Sequence, residues 1–451
     1  MRNHSLLTSL ARSFLAGEPD TDQVFTRASR LLGRRWRWLR PLARRYVMAF
    51  ADKARPRQRD VVRFLLHDPD FKHAREKYFK ELSVRQWLIG PQQMLPVAAA
   101  ETWGVPAIGS IGALADWLQL TPGELQWFAD LKALGYKRKD CPQLQHYHYK
   151  VFSKRSGSIR FIESPKPRLK ELQRQILARI LDRTPAHPAV HGFCRGRSIK
   201  TFAASHTGRR VVLRMDLQDF FPSITGARVQ ALFRTAGYPE SVADLLGGIC
   251  TNVVPRDVWK EPAHEIDLRQ LWEARVLFSR PHLPQGAPTS PALANLCTYR
   301  IDCRLAGLAK SANAEYTRYA DDLAFSGGHE FERSVERFST QVAAILSEEG
   351  FAINHRKTRI MRQGVRQHLA GLVINQRVNV TRSGFDCLKA TLTNCVRLGP
   401  ESQNRENHPS FQAHLEGRIG FVEMINPAKA IRLRRIFERI QWTGMESQRE
   451  R

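Results

Sequence analysis

The pattern of apolar and polar positions divides the chain near Tyr147. Before it the spacing is helical. The opening "MRNHSLLTSLARSFLAGEPD" has an apolar stretch broken by Thr8, Ser9 and Arg12, which predicts a short amphipathic helix, not a targeting peptide. In "LTPGELQWF", Thr121 can cap, Pro122 suits a first helical turn and Glu124 can complete a capping box, so Leu125 and Phe128 fall on one core face. From Tyr147 a period of two takes over. "YHYKVFS" and "IRFIE" flank the basic turn Lys154-Arg155-Ser156-Gly157, which predicts a β-hairpin; Pro165 and Pro167 then lead into a basic helix. Val211, Val212 and Leu213 predict a short buried strand, interrupted by Arg214, with Asp216 where it emerges. A Gly/Pro-rich turn precedes a helix beginning near Ser290. "YTRYADDLAFSG" predicts two strands with Asp321 and Asp322 at the turn between them. A further helix ends at Gly350, a strand and basic turn contain Lys357, and "HLAGLVINQRV" reads as another hairpin. Leu415, Ile419, Val422, Ile425, Ile431 and Ile436 return to helical spacing. This order predicts an α+β layer on which distant carboxylates meet at one sheet surface.

Composition narrows the partner. The 451 residues carry 71 Lys+Arg against 43 Asp+Glu, a formal charge of +28. Such an excess implies a polyanion, either nucleic acid or an acidic membrane. No apolar run approaches the roughly 18 residues a membrane span requires, so nucleic acid is favoured and no membrane partner is expected. Seven scattered cysteines, odd in number and without a C-x-x-C pair, suit reduced thiols in the cytoplasm. The stretch "RASRLLGRRWRWLRPLARRYV" sets Arg34, Arg35 and Arg37 among Trp36, Trp38 and Tyr46. It reads either as a grip on phosphates and bases or as a helical pair with core tryptophans and snorkelling arginines.

Adjacent carboxylates repel, and a hairpin tip needs only one turn-forming residue. Asp321 and Asp322 therefore pose a choice between a solvated turn and a divalent metal that cancels the repulsion. A metal needs a third carboxylate, and Asp216 is the candidate, because a buried strand does not keep an unpaired aspartate cheaply. A salt bridge from Asp216 to Arg214 is the competing reading. Lys154 and Arg160, brought near one another by the hairpin, would present two cations to phosphates. Gln285, beside backbone donors at a helix start, suits a triphosphate or a base pair.

Eight motifs in order, "RFIESPKPRLKELQ", "HGFCRGRSI", "MDLQDFFPSI", "LPQGAPTSPALAN", "YADD", "NHRKTRI", "LAGLVIN" and "GRIGFVEMINPAKAIRL", resemble the bacterial reverse transcriptases, most closely the retron type. The likeness runs from about residue 147 to about 440. It implies a right-hand polymerase, with fingers and palm over 141–378 and a helical thumb over 379–451; residues 1–140, outside the likeness, are very basic with helical spacing and read as an extension for RNA or a partner. It implies two Mg²⁺ held by Asp216 and Asp321 with Asp322 in support. Lys154 and Arg160 would grip the triphosphate, Gln285 would position the incoming nucleotide, and Lys357 would protonate the leaving pyrophosphate. Phe221, five residues after Asp216, would bar a ribose hydroxyl, whereas Phe220 suits the core. The implied partners are dNTPs, a cognate structured non-coding RNA with its cDNA product, and an effector protein of an anti-phage defence system. Other readings of the same motifs are another bacterial defence subfamily, an RNA-templated RNA polymerase, and a non-catalytic RNA-binding protein. Two stretches depart from the retron pattern: Phe202-Ala203-Ala204-Ser205-His206 stands for Asn-Ala-x-x-His, and Leu369-Ala370-Gly371 for Val-Thr-Gly.

Overall fold

The structure, a computed structural model, describes residues 2–51, 56–86, 93–134, 145–153, 159–259 and 268–442. It divides into two compact units, Met1–Pro185 with Phe221–Cys297, and Ala186–Phe220 with Thr298–Arg451. Among the described residues no helix is long and apolar enough to cross a membrane.

The first unit opens with the helices Arg2–Leu15, Thr21–Leu32, Leu39–Ala49, Gln58–His67 and Pro69–Lys77. Leu6, Leu7, Leu10, Ala11 and Phe14 form the buried stripe of the first and enter one core with Leu31, Leu42, Tyr46 and Leu65. Trp36 lies 4.8 Å from Tyr78 and Trp38 lies 5.5 Å from Phe71, ring to ring, so the aromatics of the arginine-rich stretch belong to the core. Their arginine neighbours Arg34, Arg35 and Arg37 are exposed. Helix Pro122–Ala129 begins with the capping box expected: Thr121 Oγ1 accepts from the Glu124 amide, and Glu124 accepts from the Thr121 amide at 2.8 Å. Strands β1 (Tyr147–Ser153) and β2 (Ile159–Pro165) form the antiparallel hairpin, and helix Pro167–Arg179 follows.

The second unit is built on a four-stranded antiparallel sheet. Its strands are β3 (Val211–Asp216), β4 (Ala314–Tyr319), β5 (Asp322–Gly327) and β6 (Arg359–Arg362), in the order β4-β5-β3-β6. β3 is not interrupted at Arg214, because that residue shares a sheet face with Asp322, diagonal to it on β5, and its charge is answered there. The odd positions Val211, Leu213 and Met215 share a face with Leu323 and Phe325, against helix His329–Glu348. Phe331, Val335, Phe338, Val342 and Leu346 are the buried stripe of that helix, and Phe338 meets Phe325 edge-on at 5.1 Å. The opposite face packs Val212, Ala324 and Met361 into a core shared with the C-terminal helices Arg382–Leu398, Phe411–Ile425 and Pro427–Phe437. The "HLAGLVINQRV" stretch gives β7 (His368–Leu369) and β8 (Leu372–Val373), joined by β9 (Asn379–Val380).

One apolar expectation is corrected. Leu415, Ile419, Val422 and Ile425 are buried and Ile436 is partly so, but Ile431 is 53% exposed. The helix ends at Asn426, whose side chain caps a new one from Pro427; this resets the phase, and Ala430 and Leu433 turn inward instead.

Candidate active site

The carboxylates meet through strand register. Asp216, last residue of β3, lies opposite Asp322, first residue of β5, so both project from one face of the sheet. Asp322 is thus a strand residue, and the turn consists of Ala320, at φ 56°, and Asp321. The Leu217 amide donates to the Asp321 carbonyl at 2.9 Å, fixing the turn to the chain leaving β3. On the other side Asn354 donates to the Asp216 carbonyl and Gln218 to the Ala352 carbonyl, each at 2.8 Å. A short turn then places Lys357, whose Nζ lies 2.9 Å from Asp216 Oδ2.

Arg214 does not pair with Asp216. It lies two residues away on the same face and reaches diagonally, donating from Nε and Nη2 to Asp322 Oδ1 at 2.9 and 2.7 Å and from Nη2 to Oδ2 at 3.0 Å. Burial pushes the Asp321 carboxyl above the usual carboxylate range, and the charge of Asp216 pushes it further. Burial also raises Asp322, against the opposing pull of Arg214. Three acids with clustered, partly desolvated negative charge suit a divalent cation. Two of the three are answered by cations, Asp216 by Lys357 and Asp322 by Arg214. As the side chains stand, no three acidic, histidine or cysteine groups converge as a closed metal cage among the described residues.

Several supports lie in stretches whose motifs assigned them no role. Arg318, in β4 and fully buried, donates from Nε and Nη2 to the buried Asp302 at 2.8 and 2.7 Å. Its Nη1 donates to the Ala320 carbonyl at 3.1 Å, so the ion pair holds the aspartate turn from beneath. Tyr316 donates to Asp302 as well, leaving the buried carboxylate with three donors. On the carboxylate face His206 bridges two strands, 2.7 Å from Thr317 Oγ1 of β4 and 2.7 Å from Ser326 Oγ of β5. Burial drives its pKa down to about 3, with Arg209 and His191 adding to the effect. Gly192 lies against the turn: a Cβ there would sit 2.6 Å from the Ala320 amide nitrogen. An arginine inside an apolar strand is the one signal that could have pointed to Asp302, since such a charge requires a buried partner.

The residues expected at the nucleotide divide differently. Lys357 joins the aspartates. Arg160, Phe221 and Gln285 belong to the first unit, and Lys154 lies outside the described residues. Arg160 is in β2 opposite Phe152. The Gln285 carbonyl accepts from the Glu163 amide at 2.9 Å, which lays its loop along β2. Gly286 makes this possible at φ 137°, for a Cβ would come 2.7 Å from the Glu163 carbonyl oxygen. Beneath the loop Glu163 and His282 are both fully buried, 3.0 Å apart, and Asn252 donates to Glu163 at 2.7 Å. Phe221 is half-buried, whereas Phe220 is 4% exposed, 6.2 Å from Phe351.

Residues 152–388, more than half the chain, match the family described as reverse transcriptase (RNA-dependent DNA polymerase). Retron Ec86 reverse transcriptase of Escherichia coli is 31% identical over 276 residues, covering 61% of this chain and 74% of that one. The chain belongs to the reverse transcriptase family, in its retron-type branch. Retron Mx65 reverse transcriptase of Myxococcus xanthus is 43% identical over 300 residues, 65% of each chain. Retron Mx162 reverse transcriptase of the same organism is 36% identical over 340 residues, 72% of this chain and 66% of the relative. The match to this retron-type chain thus spans just under two thirds of the length of those two relatives.

Proposed function

We propose that this retron-type chain is an RNA-directed DNA polymerase that extends a primer on an RNA template with dNTPs. The observation that carries the reading is the register of β3 against β5, which faces Asp216 with Asp322 beside the Asp321 turn on a scaffold that matches the family. Two Mg²⁺, held by Asp216 and Asp321 with Asp322 in support, would activate the primer hydroxyl and neutralise the triphosphate and departing pyrophosphate. The chain's own task is to hold the carboxylates ready. Arg318 and Gly192 shape the turn, His206 ties β4 to β5, and Arg214 orients Asp322. Lys357, beside Asp216, carries a proton for the leaving pyrophosphate. Lys154 and Arg160 grip the triphosphate, Gln285 positions the nucleotide, and the Phe221 ring excludes the 2′-hydroxyl. The helices from Arg382 to Phe437 act as the thumb, fingers and palm occupy 141–378, and residues 1–140 are an added module.

We further propose a cognate structured non-coding RNA, an RNA-linked single-stranded DNA product, and an effector protein in anti-phage defence. Purification from the host, followed by sequencing of the bound nucleic acid after separate RNase and DNase digestion, tests this. A linked RNA–DNA molecule is expected. RNA with no attached DNA would place the chain's function outside retron synthesis.

A further inference from the structure

We infer that the turn closing the helix Thr21–Leu32, with Arg85 beside it, is a second nucleic-acid contact, one that grips the phosphate backbone of double-stranded RNA. The inference rests on the polymerase reading only in taking RNA as the partner. Gly33 ends the helix at φ 69°, and Arg34, Arg35 and Arg37 follow on the surface. Arg85 arrives from a separate segment: its amide donates to the Leu31 carbonyl at 2.8 Å, and its Cγ lies 2.8 Å from where a Cβ on Gly33 would be. Four exposed arginines thus converge on one turn whose backbone and close contact with Arg85 favour glycine.

Two of them are pre-arranged. The Arg34 guanidinium lies over Trp36 at 4.7 Å, and that of Arg35 over Phe25 at 5.2 Å. Stacking on a ring holds the planar fork and leaves its N–H edge for phosphate oxygens. Another arginine of the same helical core is neutralised within it: Arg45 meets Asp68, which is buried, at 2.7 Å and Asp70 at 2.9 Å. At the turn the acidic partner among the described residues is Glu81, 3.4 Å from Arg34 with both side chains more than 60% exposed. Such a pair is weak and yields to phosphate.

The burial of the aromatics selects the ligand. Trp36 and Tyr46 are buried and Trp38 packs on Phe71, so no ring of this stretch offers a face to an unstacked base. Binding through charge alone favours the closely spaced phosphates of a duplex over a single strand, which depends on stacking platforms. The rival assignment makes these arginines partners of the helix C-terminus, where cations are stabilising.

The test uses the full chain with Arg35→Gln, Arg37→Gln and Arg85→Gln combined, and follows affinity against salt for an RNA duplex of about 20 base pairs. Three lost phosphate contacts flatten the log-affinity versus log-salt slope by roughly two to three units, at about 0.9 per contact. Arg45→Gln, whose charge Asp68 and Asp70 already answer, changes the slope by less than half as much as the triple variant. An unaltered slope in a triple variant with wild-type melting temperature overturns the proposal. So does an equal loss on oligouridine, or a loss confined to anionic phosphatidylserine vesicles. Should the triple variant not fold, Arg37→Gln alone flattens the slope by about 0.9, and no change there overturns the proposal. Primer extension by the wild-type chain separates the two readings: its failure sinks the polymerase assignment and leaves the slope result standing.

Discussion

The buried His206 makes the four-stranded sheet acid-sensitive in a way that can be calculated. Both ring nitrogens are used inside the fold, and burial holds the folded pKa at about 3 while the unfolded chain titrates near 6.5. The unfolded state therefore takes up a proton below about pH 6.5 that the folded state refuses until about pH 3. Stability from this group is complete above pH 6.5 and falls as pH drops through that window. At pH 5 the loss is about 2 kcal/mol, one and a half pH units at about 1.36 kcal/mol each. The assay is urea unfolding at pH 8 and pH 5 for the wild-type chain and for His206→Gln. The variant starts lower by about 1–3 kcal/mol, because a hydroxyl of Thr317 or Ser326 loses its partner. It should then lose about 2 kcal/mol less than wild type on going to pH 5. Equal pH dependence in the two proteins would refute the placement of a neutral histidine between β4 and β5.

Gly192→Ala should leave the helical circular dichroism intact and sharply reduce primer extension, since its Cβ would meet the backbone of the aspartate turn at 2.6 Å; full activity would show that the turn tolerates displacement. Asp302→Asn should cost about 3–5 kcal/mol in thermal unfolding by stranding the Arg318 charge, and the double change Asp302→Leu with Arg318→Met should cost less than that single change. Phe221→Ala should raise rNTP over dNTP incorporation by at least about tenfold, equivalent to roughly 1.4 kcal/mol. Unchanged selectivity with lower stability would make the ring a packing residue.

Local chemistry wrote the aspartates and the hairpins into the sequence. Asp216 at a strand exit and an Asp-Asp pair at a predicted turn foretold where acids would gather, and the capping box at Thr121 announced a helix start. What stayed hidden depends on residues far apart in the chain. Glu163 and His282 are 119 positions apart, and His206 and Ser326 are 120 apart; no local period connects such pairs. Gly192 was silent for another reason, as its constraint comes from the Ala320 backbone pressing on it. Arg214 was visible as an irregular strand residue, but which aspartate it meets follows from strand register, which turn chemistry and pairing set together. The arginine-rich stretch fitted two readings because arginines and tryptophans alternate there. Packing separated them, tryptophans inward and arginines outward.

Asp216 and Asp321 are proposed as the reacting centre of a DNA-synthesising enzyme. That assignment is tested by Mg²⁺-dependent extension of a primed RNA template with dNTPs, comparing wild type with Asp216→Asn, Asp321→Asn and the double variant. Each asparagine keeps shape and removes charge, so all three proteins should fold. Each single change should lower the extension rate by several orders of magnitude, and the double variant should be little worse than either, because the carboxylates act as a unit. Extension within about tenfold of wild type, a barrier change of only about 1.4 kcal/mol, in either single variant would contradict the assignment.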